Sequence, residues 1–301
     1  MGELAAVDRL RRRLPQPPPG ETWIGDDAAV VAGPVGALLL STDAVVAGVH
    51  ADLSLVGLDD LGWKAVAAAV SDVAAMGGRA SHLLVSVCGP EGTDVELLYA
   101  GIAEASAEYR CPVVGGDLSA SSQLVVVVTV VGGAGAHPPV LRSGGRPGDT
   151  IYITGPLGSS AAGLRRLRSG QAAGGDPLVR AHRRPRARPA EGVAARQAGA
   201  TAMIDVSDGL AADLRHLADA SAVGVVLDAV PVADGALLGE AVGGGEDYEL
   251  VFTAPERERV TASFTSAGLR PPIAAGRCTA DPSERLLAGE PLPEGGWEHW
   301  T

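Results

Sequence analysis

Acidic residues set beside glycine or a small hydroxyl residue at the ends of apolar runs are the chemistry-bearing feature of this chain. They are Gly25-Asp26-Asp27, Ser41-Thr42-Asp43, Ser71-Asp72, Gly115-Gly116-Asp117, Asp205-Val206-Ser207-Asp208-Gly209 and Gly244-Gly245-Glu246-Asp247-Tyr248-Glu249. Carboxylate and hydroxyl oxygens are hard ligands of the kind that suits Mg²⁺. Asp72 is the most out of place. It interrupts Leu61–Arg79 (LGWKAVAAAVSDVAAMGGR), an Ala/Val helix whose small side chains let neighbours pack closely and whose Gly77-Gly78 supplies a left-handed stop. A carboxylate buried there needs neutralising, and Lys64, the only lysine of the chain, is about two turns away and expected to be a helix-surface charge. Bound divalent cations are the expected answer.

Asp208 is expected to cap the helix that follows it, where free backbone N–H groups and the positive dipole end attract phosphate, with Ser207 adding a hydroxyl. Phosphate with Mg²⁺ implies a nucleotide. Gly155–Gly163 (GPLGSSAAG) lacks the lysine of a P-loop and reads as a helix N-terminus and a second candidate anion site. There is no serine nucleophile elbow, no His-Glu-x-x-His and no protein-kinase signature set.

The elements that must position these groups alternate along the chain. Residues 3–14 read as an amphipathic helix, followed by a proline-rich connector and a strand through Gly25–Val31. Ala37–Thr42 is expected as a strand ending at Asp43. Next come the Asp72 helix, strand His82–Cys88, helix Thr93–Tyr109, a short strand Pro112–Val114 ending at Gly-Gly-Asp, and the long apolar strand Gln123–Val131. A linker at Gly132–Pro139 places the boundary near residue 138, dividing the chain into 1–137 and 138–301. The second half repeats the alternation: strand 150–154, helix 159–168, a flexible loop, helix 190–198, strand 202–206, helix 209–221, strand 223–227, helix 234–242, strand 248–253, helix 255–267 and strand 273–276. The expected class is α/β of the α+β type, in two domains.

At 301 residues two domains are affordable, and 46% apolar with 3% aromatic content makes an Ala/Val/Leu core. A formal charge of −12 argues against a nucleic-acid or membrane-surface binder, and Arg180–Arg188 (RAHRRPRAR) reads as a solvated loop rather than a nucleic-acid patch. Cys88, Cys111 and Cys278 form no Cys-x-x-Cys pair and suit a reducing, cytoplasmic compartment. Neither a signal peptide nor a membrane span is read from the sequence.

In order, the motifs GDDAAV (Gly25–Val30), STDAVVAGVH (Ser41–His50), SDVAAMG (Ser71–Gly77), VGGD (Val114–Asp117), RSGGRPGD (Arg142–Asp149), IDVSDGL (Ile204–Leu210) and GGEDYEL (Gly244–Leu250) resemble the thiamine-monophosphate kinases. These belong with aminoimidazole ribonucleotide synthetase and selenophosphate synthetase. The resemblance implies an N-terminal α/β domain that binds ATP and Mg²⁺ and dimerises through its strands. It implies a C-terminal α/β domain that completes the nucleotide and substrate site. By the same resemblance Asp27, Ser41, Thr42, Asp43, Asp72, Asp117, Asp205 and Asp208 are Mg²⁺ ligands, and Asp72, Asp117 and Asp208 are also carried as catalytic. Tyr99, Gly116, Asp117, Arg142 and Ser207 are implied ATP contacts, and His50, Glu246 and Trp297 implied thiamine monophosphate contacts. Two departures stand out: Ala69 where the family often has Asn, and Leu118-Ser119-Ala120-Ser121 where it often has a hydroxyl and an arginine.

What the resemblance implies about mechanism follows from charge. The acceptor is a phosphate already ionised at neutral pH, so no general base is required, and several cations must overcome repulsion between donor and acceptor in an in-line transfer. The rivals are another ATP-dependent synthetase of the family and a nucleotide-binding regulator without turnover. Selenophosphate synthetase should carry a reactive cysteine near its N-terminus, which this chain lacks, and the related hydrogenase-maturation protein a cysteine-bearing tail, where this chain ends Glu298-His299-Trp300-Thr301.

Overall fold

The computed structural model of the chain describes residues 9–19, 21, 31, 33, 36–172 and 174–297. The motif Gly25–Val30 with Asp26 and Asp27, the strand expected there, residues 3–8 of the expected first helix and the terminal residues 298–301 lie outside the described residues. Residues 9–13 are helical. The chain divides into two compact units, one of 1–73 and 79–137, the other of 74–78 and 138–301.

Among its described residues the first unit holds a four-stranded sheet, two long helices and the short helical stretch 9–13. Its strands are β1 (Leu38–Val46), β2 (Arg79–Gly89), β3 (Val113–Ala120) and β4 (Val125–Gly133), in the order β1-β4-β2-β3. β4 runs antiparallel to both β1 and β2, while β3 runs parallel to β2 after a crossover through α2 (Val95–Tyr109). Alternation fixes which face is covered: Leu83, Val85, Val87, Val126, Val128 and Val130 are buried, whereas Leu38, Leu40 and Leu84 are 52%, 65% and 39% exposed.

α1 (Leu58–Ala75) is the Ala/Val helix expected from the sequence, with Asp59 and Asp60 in its first turn suiting the helix dipole. Its Leu61, Ala65, Val66, Ala67, Ala69, Val70 and Ala74 are at most 1% exposed. A Cβ on Gly62 would meet the Leu98 carbonyl oxygen at 2.2 Å and one on Gly101 the Asp59 carbonyl oxygen at 1.7 Å, so α1 and α2 touch backbone to backbone. Gly77, at φ +69°, is the left-handed stop. Lys64 is 1% exposed and therefore a core residue, not a surface charge.

The second unit carries a seven-stranded sheet, β11-β10-β7-β9-β5-β8-β6, from β5 (Thr150–Ile153), β6 (Ala202–Asp205), β7 (Gly224–Leu227), β8 (Leu250–Ala254), β9 (Ile273–Thr279), β10 (Arg285–Leu287) and β11 (Glu290–Pro291). All pairings are antiparallel except β10 on β7. Its helices are α3 (Ser159–Arg168), α4 (Pro177–Arg183), α5 (Pro189–Gln197), α6 (Leu210–Ser221), α7 (Leu238–Gly243) and α8 (Arg257–Ser266). Core residues of α6, β6 and β7 fill one face, and Tyr152, Phe252 and Phe264 stack with Met203, Ala194 and Ala195 on the other.

Two expectations are corrected here. The region after α3 is no simple flexible loop: Asp176 caps a helix, α4, through the Leu178 N–H. The basic run is accordingly half-buried structure, with Arg188 paired to the buried Glu249. The extra β10–β11 hairpin was not anticipated from the sequence.

Candidate active site

Ser41 donates its hydroxyl hydrogen bond to the carboxylate of Asp72. β1 does not end at Thr42; it continues through Asp43 to Val46, so Ser41, Thr42 and Asp43 alternate across the pleat. Ser41 and Asp43 share the helix-covered face with buried Leu39 and Val45, and Asp72 is half-buried rather than fully buried. Thr42 lies on the open face, its hydroxyl 3.0 Å from that of Thr129. Asp117 is likewise on the open face: its ladder partners run Ser86, Val127 and Ala44. Gly115-Gly116-Asp117 is therefore inside β3 rather than at the end of a short strand.

Asp117 accepts from Ser119 Oγ at 2.8 Å. Tyr99 is buried with its hydroxyl 3.5 Å from the Val85 carbonyl; burial pushes its phenol above the ordinary range and the charge of Asp117 adds to the effect. His50 Nδ1 accepts the Val46 N–H at 2.9 Å, which leaves the proton of the neutral ring on Nε2.

In the second unit the turn after β6 is a hub. The N–H groups of Ser207, Asp208 and Gly209 all donate to Asp213 Oδ2, each at 3.1 Å. The Ser207 carbonyl accepts from Glu246 N–H at 2.8 Å, and the Asp208 carbonyl from Trp297 N–H at 3.1 Å. Three separate segments, 207–209, 244–248 and 296–297, thus meet by backbone bonds. Glu246 and Tyr248 take left-handed φ values of 64° and 51°, uncommon for residues with side chains and held here by the bonds of Glu246 to Ser207 and Tyr248 to Val206.

The expected phosphate sites at helix N-termini are overturned. α6 starts at Leu210 with Gly209 as its cap residue, so Asp208 is not the N-cap, and Asp213 takes the amides of the turn ahead of the helix, Ser207, Asp208 and Gly209. At α3, Asp247 does the same, accepting from Gly158 N–H at 2.5 Å and Ser160 N–H at 3.0 Å. Both carboxyls are pushed upward. Asp213 rises to about 8, through burial first and then the charges of Asp205 and Asp208, and Asp247 to about 6, mainly through burial.

The N-terminal domain of the AIR synthase related proteins matches residues 25–134, and the C-terminal domain matches 146–289. The thiamine-monophosphate kinase of Mycobacterium tuberculosis is 38% identical over 299 residues, covering 96% of this chain and 89% of that protein. The crystal structure of thiamine-monophosphate kinase from Stenotrophomonas maltophilia K279a superposes with a TM-score of 0.82 at 30% identity, covering 96% of this chain and 98% of that one. The structure of AaThiL complexed with AMPPCP and TMP does so at 0.78 and 32%, covering 99% and 97%. The chain belongs to the thiamine-monophosphate kinase family.

Among the residues that the family resemblance nominated, two groups are brought together by the structure: Ser41 with Asp72, and Ser207, Asp208, Glu246 and Trp297 around the 207–209 turn. Arg142 stands apart from the second group. Its carbonyl accepts from Ser221 at 2.9 Å, at the opposite end of α6 and thus roughly 18 Å along the helix from the turn. Among the described residues no group of three or more His, Cys, Asp or Glu side chains is placed to hold a metal ion.

Sequence reasoning missed Asp213 and Asp247 in their capping roles. For Asp213 the signal was an acid in the first turn of a helix, where it reaches back to unsatisfied amides. For Asp247 no local signal existed, because it caps a helix 87 residues away in sequence.

Proposed function

We propose that this member of the family phosphorylates thiamine monophosphate to thiamine diphosphate at the expense of ATP, by direct in-line transfer assisted by several Mg²⁺ ions. The observation that carries the reading is the convergence of Ser207-Asp208, Glu246 and Trp297 on one backbone hub. It joins a nucleotide-contact residue to two residues proposed to hold the thiamine moiety. A relative that covers nearly the whole chain binds AMPPCP and TMP.

The donor set fits Mg²⁺ by its chemistry. Asp27, Ser41, Asp43 and Asp72 of the first unit and Asp205 and Asp208 of the second offer hard oxygens, while Thr42 and Asp117 lie on the opposite, open face of the first sheet. In nucleotide-using enzymes Mg²⁺ takes one or two carboxylates and completes its shell with substrate phosphates and water, so an all-protein cage is not required. When bound, the ions supply the positive charge that lets two anionic phosphates approach.

The chain's own residues do the rest. Asp247 occupies the α3 N-terminus and Asp213 the amides of the 207–209 turn, which leaves charge neutralisation at that turn to cations. His50, with its Nε2 proton, donates to the substrate phosphate, and Glu246 and Trp297 hold the rings. Tyr99, Gly116, Asp117, Arg142 and Ser207 contact ATP. Asp72 and Asp208 would hold ions whose positive charge offsets the negative charge of the reacting phosphates, and Asp117, carried by the resemblance in the same role, would do so from the open face.

The molecule acts as a homodimer joined through the open sheet face bearing Leu38, Leu40 and Leu84, an apolar surface costly to leave in water. Residues 1–137 serve ATP, Mg²⁺ and dimerisation, and 138–301 complete the nucleotide and substrate sites. The three free cysteines suit the cytoplasm, and among the described residues no helix is long and apolar enough to cross a membrane. Release of ADP from ATP and Mg²⁺ on addition of thiamine monophosphate, with thiamine diphosphate identified chromatographically, is the expected result; no release overturns the reading.

A further inference from the structure

Behind Glu246 lies a buried polar pair that the function proposed above does not use. α3 and α4 pack so closely that a Cβ on Gly163 would fall 2.0 Å from the Leu178 carbonyl oxygen. This contact sets Ser160, 1% exposed, against His182, 4% exposed, with Ser160 Oγ 3.1 Å from His182 Nδ1. The same Nδ1 is 3.7 Å from Glu246 Oε2. Asp247, the next residue, binds the Ser160 N–H at 3.0 Å, so the turn that carries Ser160 is tied to the loop that carries Glu246.

A serine, a histidine and an acid together invite an acyl-transfer reading, and the geometry excludes it. Both Ser160 and Glu246 meet the same ring nitrogen, whereas a nucleophile relay needs the acid on one nitrogen and the hydroxyl on the other. The constellation orients and does not react.

We propose that His182 is a positioning residue for Glu246: the buried imidazole, fixed by Ser160, holds the Glu246 carboxylate in the rotamer that meets the thiamine moiety. The inference rests on the proposed role of Glu246 as a thiamine monophosphate contact. A glutamate side chain left to itself samples several rotamers, and ordering it on binding costs affinity. In the Nδ1–H tautomer the single N–H has Ser160 Oγ and Glu246 Oε2 as its two acceptors, and a donor held there removes part of that cost. At 3.7 Å the contact is electrostatic; closing by about half an ångström on binding makes it a hydrogen bond.

The test compares His182→Phe, His182→Asn and Ser160→Ala in kcat, in KM for thiamine monophosphate and ATP, and in calorimetric binding of thiamine monophosphate, with circular dichroism as the check on folding. His182→Phe is expected to raise KM and Kd for thiamine monophosphate on the order of tenfold while KM for ATP stays nearly unchanged. His182→Asn, which keeps a donor near the Nδ1 position, should restore most of the loss. On a Glu246→Gln background His182→Phe should add little, because its effect runs through that carboxylate. Equal losses for both substrates, no rescue by Asn, or full additivity with Glu246→Gln would overturn the proposal. If His182→Phe does not fold, a thiamine monophosphate-selective rise in KM for Ser160→Ala upholds the inference and its absence overturns it. A wild-type protein inactive on thiamine monophosphate overturns the proposed function itself, which separates the two failures.

Discussion

The backbone N–H of Trp297 donates to the carbonyl oxygen of Asp208 at 3.1 Å. Asp208 is held from both sides, its own N–H bound by Asp213 and its carbonyl by the C-terminal segment. The indole of Trp297 is 51% exposed beside this turn, so an aromatic surface is presented next to a residue proposed to bind Mg²⁺.

Because the anchoring bond is made by the backbone, Trp297→Ala removes the indole and leaves the segment docked. Stacking and cation–π attraction to a thiazolium contribute on the order of 1–2 kcal/mol. The variant should therefore raise KM for thiamine monophosphate roughly tenfold and leave that for ATP nearly unchanged. Equal changes for both substrates in steady-state assays would show that the tail only packs.

Asp72→Asn preserves shape and still accepts from Ser41, so the protein should fold and keep its thermal transition. Activity should fall about a hundredfold or more, as expected when a group acting on developing charge is lost. Excess Mg²⁺ should not restore it. Wild-type turnover across a Mg²⁺ titration would remove Asp72 from the metal set.

Asp213 and Asp247 titrate upward in the folded protein, to about 8 and about 6, from an ordinary value of 3.8. A raised carboxyl pKa means that the folded state binds the proton more tightly than the unfolded one. Its stabilising effect is complete below about pH 4 and is lost as pH rises through the folded value. In chelator the urea midpoint should decline between pH 4 and 8, against the opposite contributions of arginine-paired carboxylates such as Asp176 and Glu240, whose pKa values are lowered. Asp247→Asn should flatten the part of the decline below about pH 6.5. An unchanged slope in that variant would refute the assignment.

Leu40 is 65% exposed on the open face of the first sheet. Leu40→Glu should convert a dimer at micromolar concentration into a monomer in sedimentation velocity, since a charge at an apolar interface is buried without a partner. A wild-type monomer at that concentration would show that the face is covered in some other way.

The helices and strands were legible wherever periodicity was strong. The Ala/Val helix with its glycine stop, the capped α2 and the alternating β4 follow from local propensity and pattern, and the ordered motifs of acid, glycine and hydroxyl carried the family. α4 was missed because glycine and proline around it mask a helix of only 7 residues that stands by packing on α3.

What the sequence determined by itself was the family, since its ordered motifs belong to a chain that relatives match over nearly its whole length, and hard oxygen donors beside glycine turns are what suggest Mg²⁺ and phosphate. Tertiary structure decided how the donors are shared out. Reading β1 as ending at Thr42 hid the fact that neighbours in a strand point to opposite faces, so Thr42 parts from Ser41 and Asp43. The α3 N-terminus looked open because its occupant, Asp247, arrives from a distant segment, while Asp213 reaches back to the amides of the 207–209 turn ahead of α6. A helix end is an anion site only while its amides are unclaimed, and which carboxylate claims them is set by packing rather than by the residues of the turn itself.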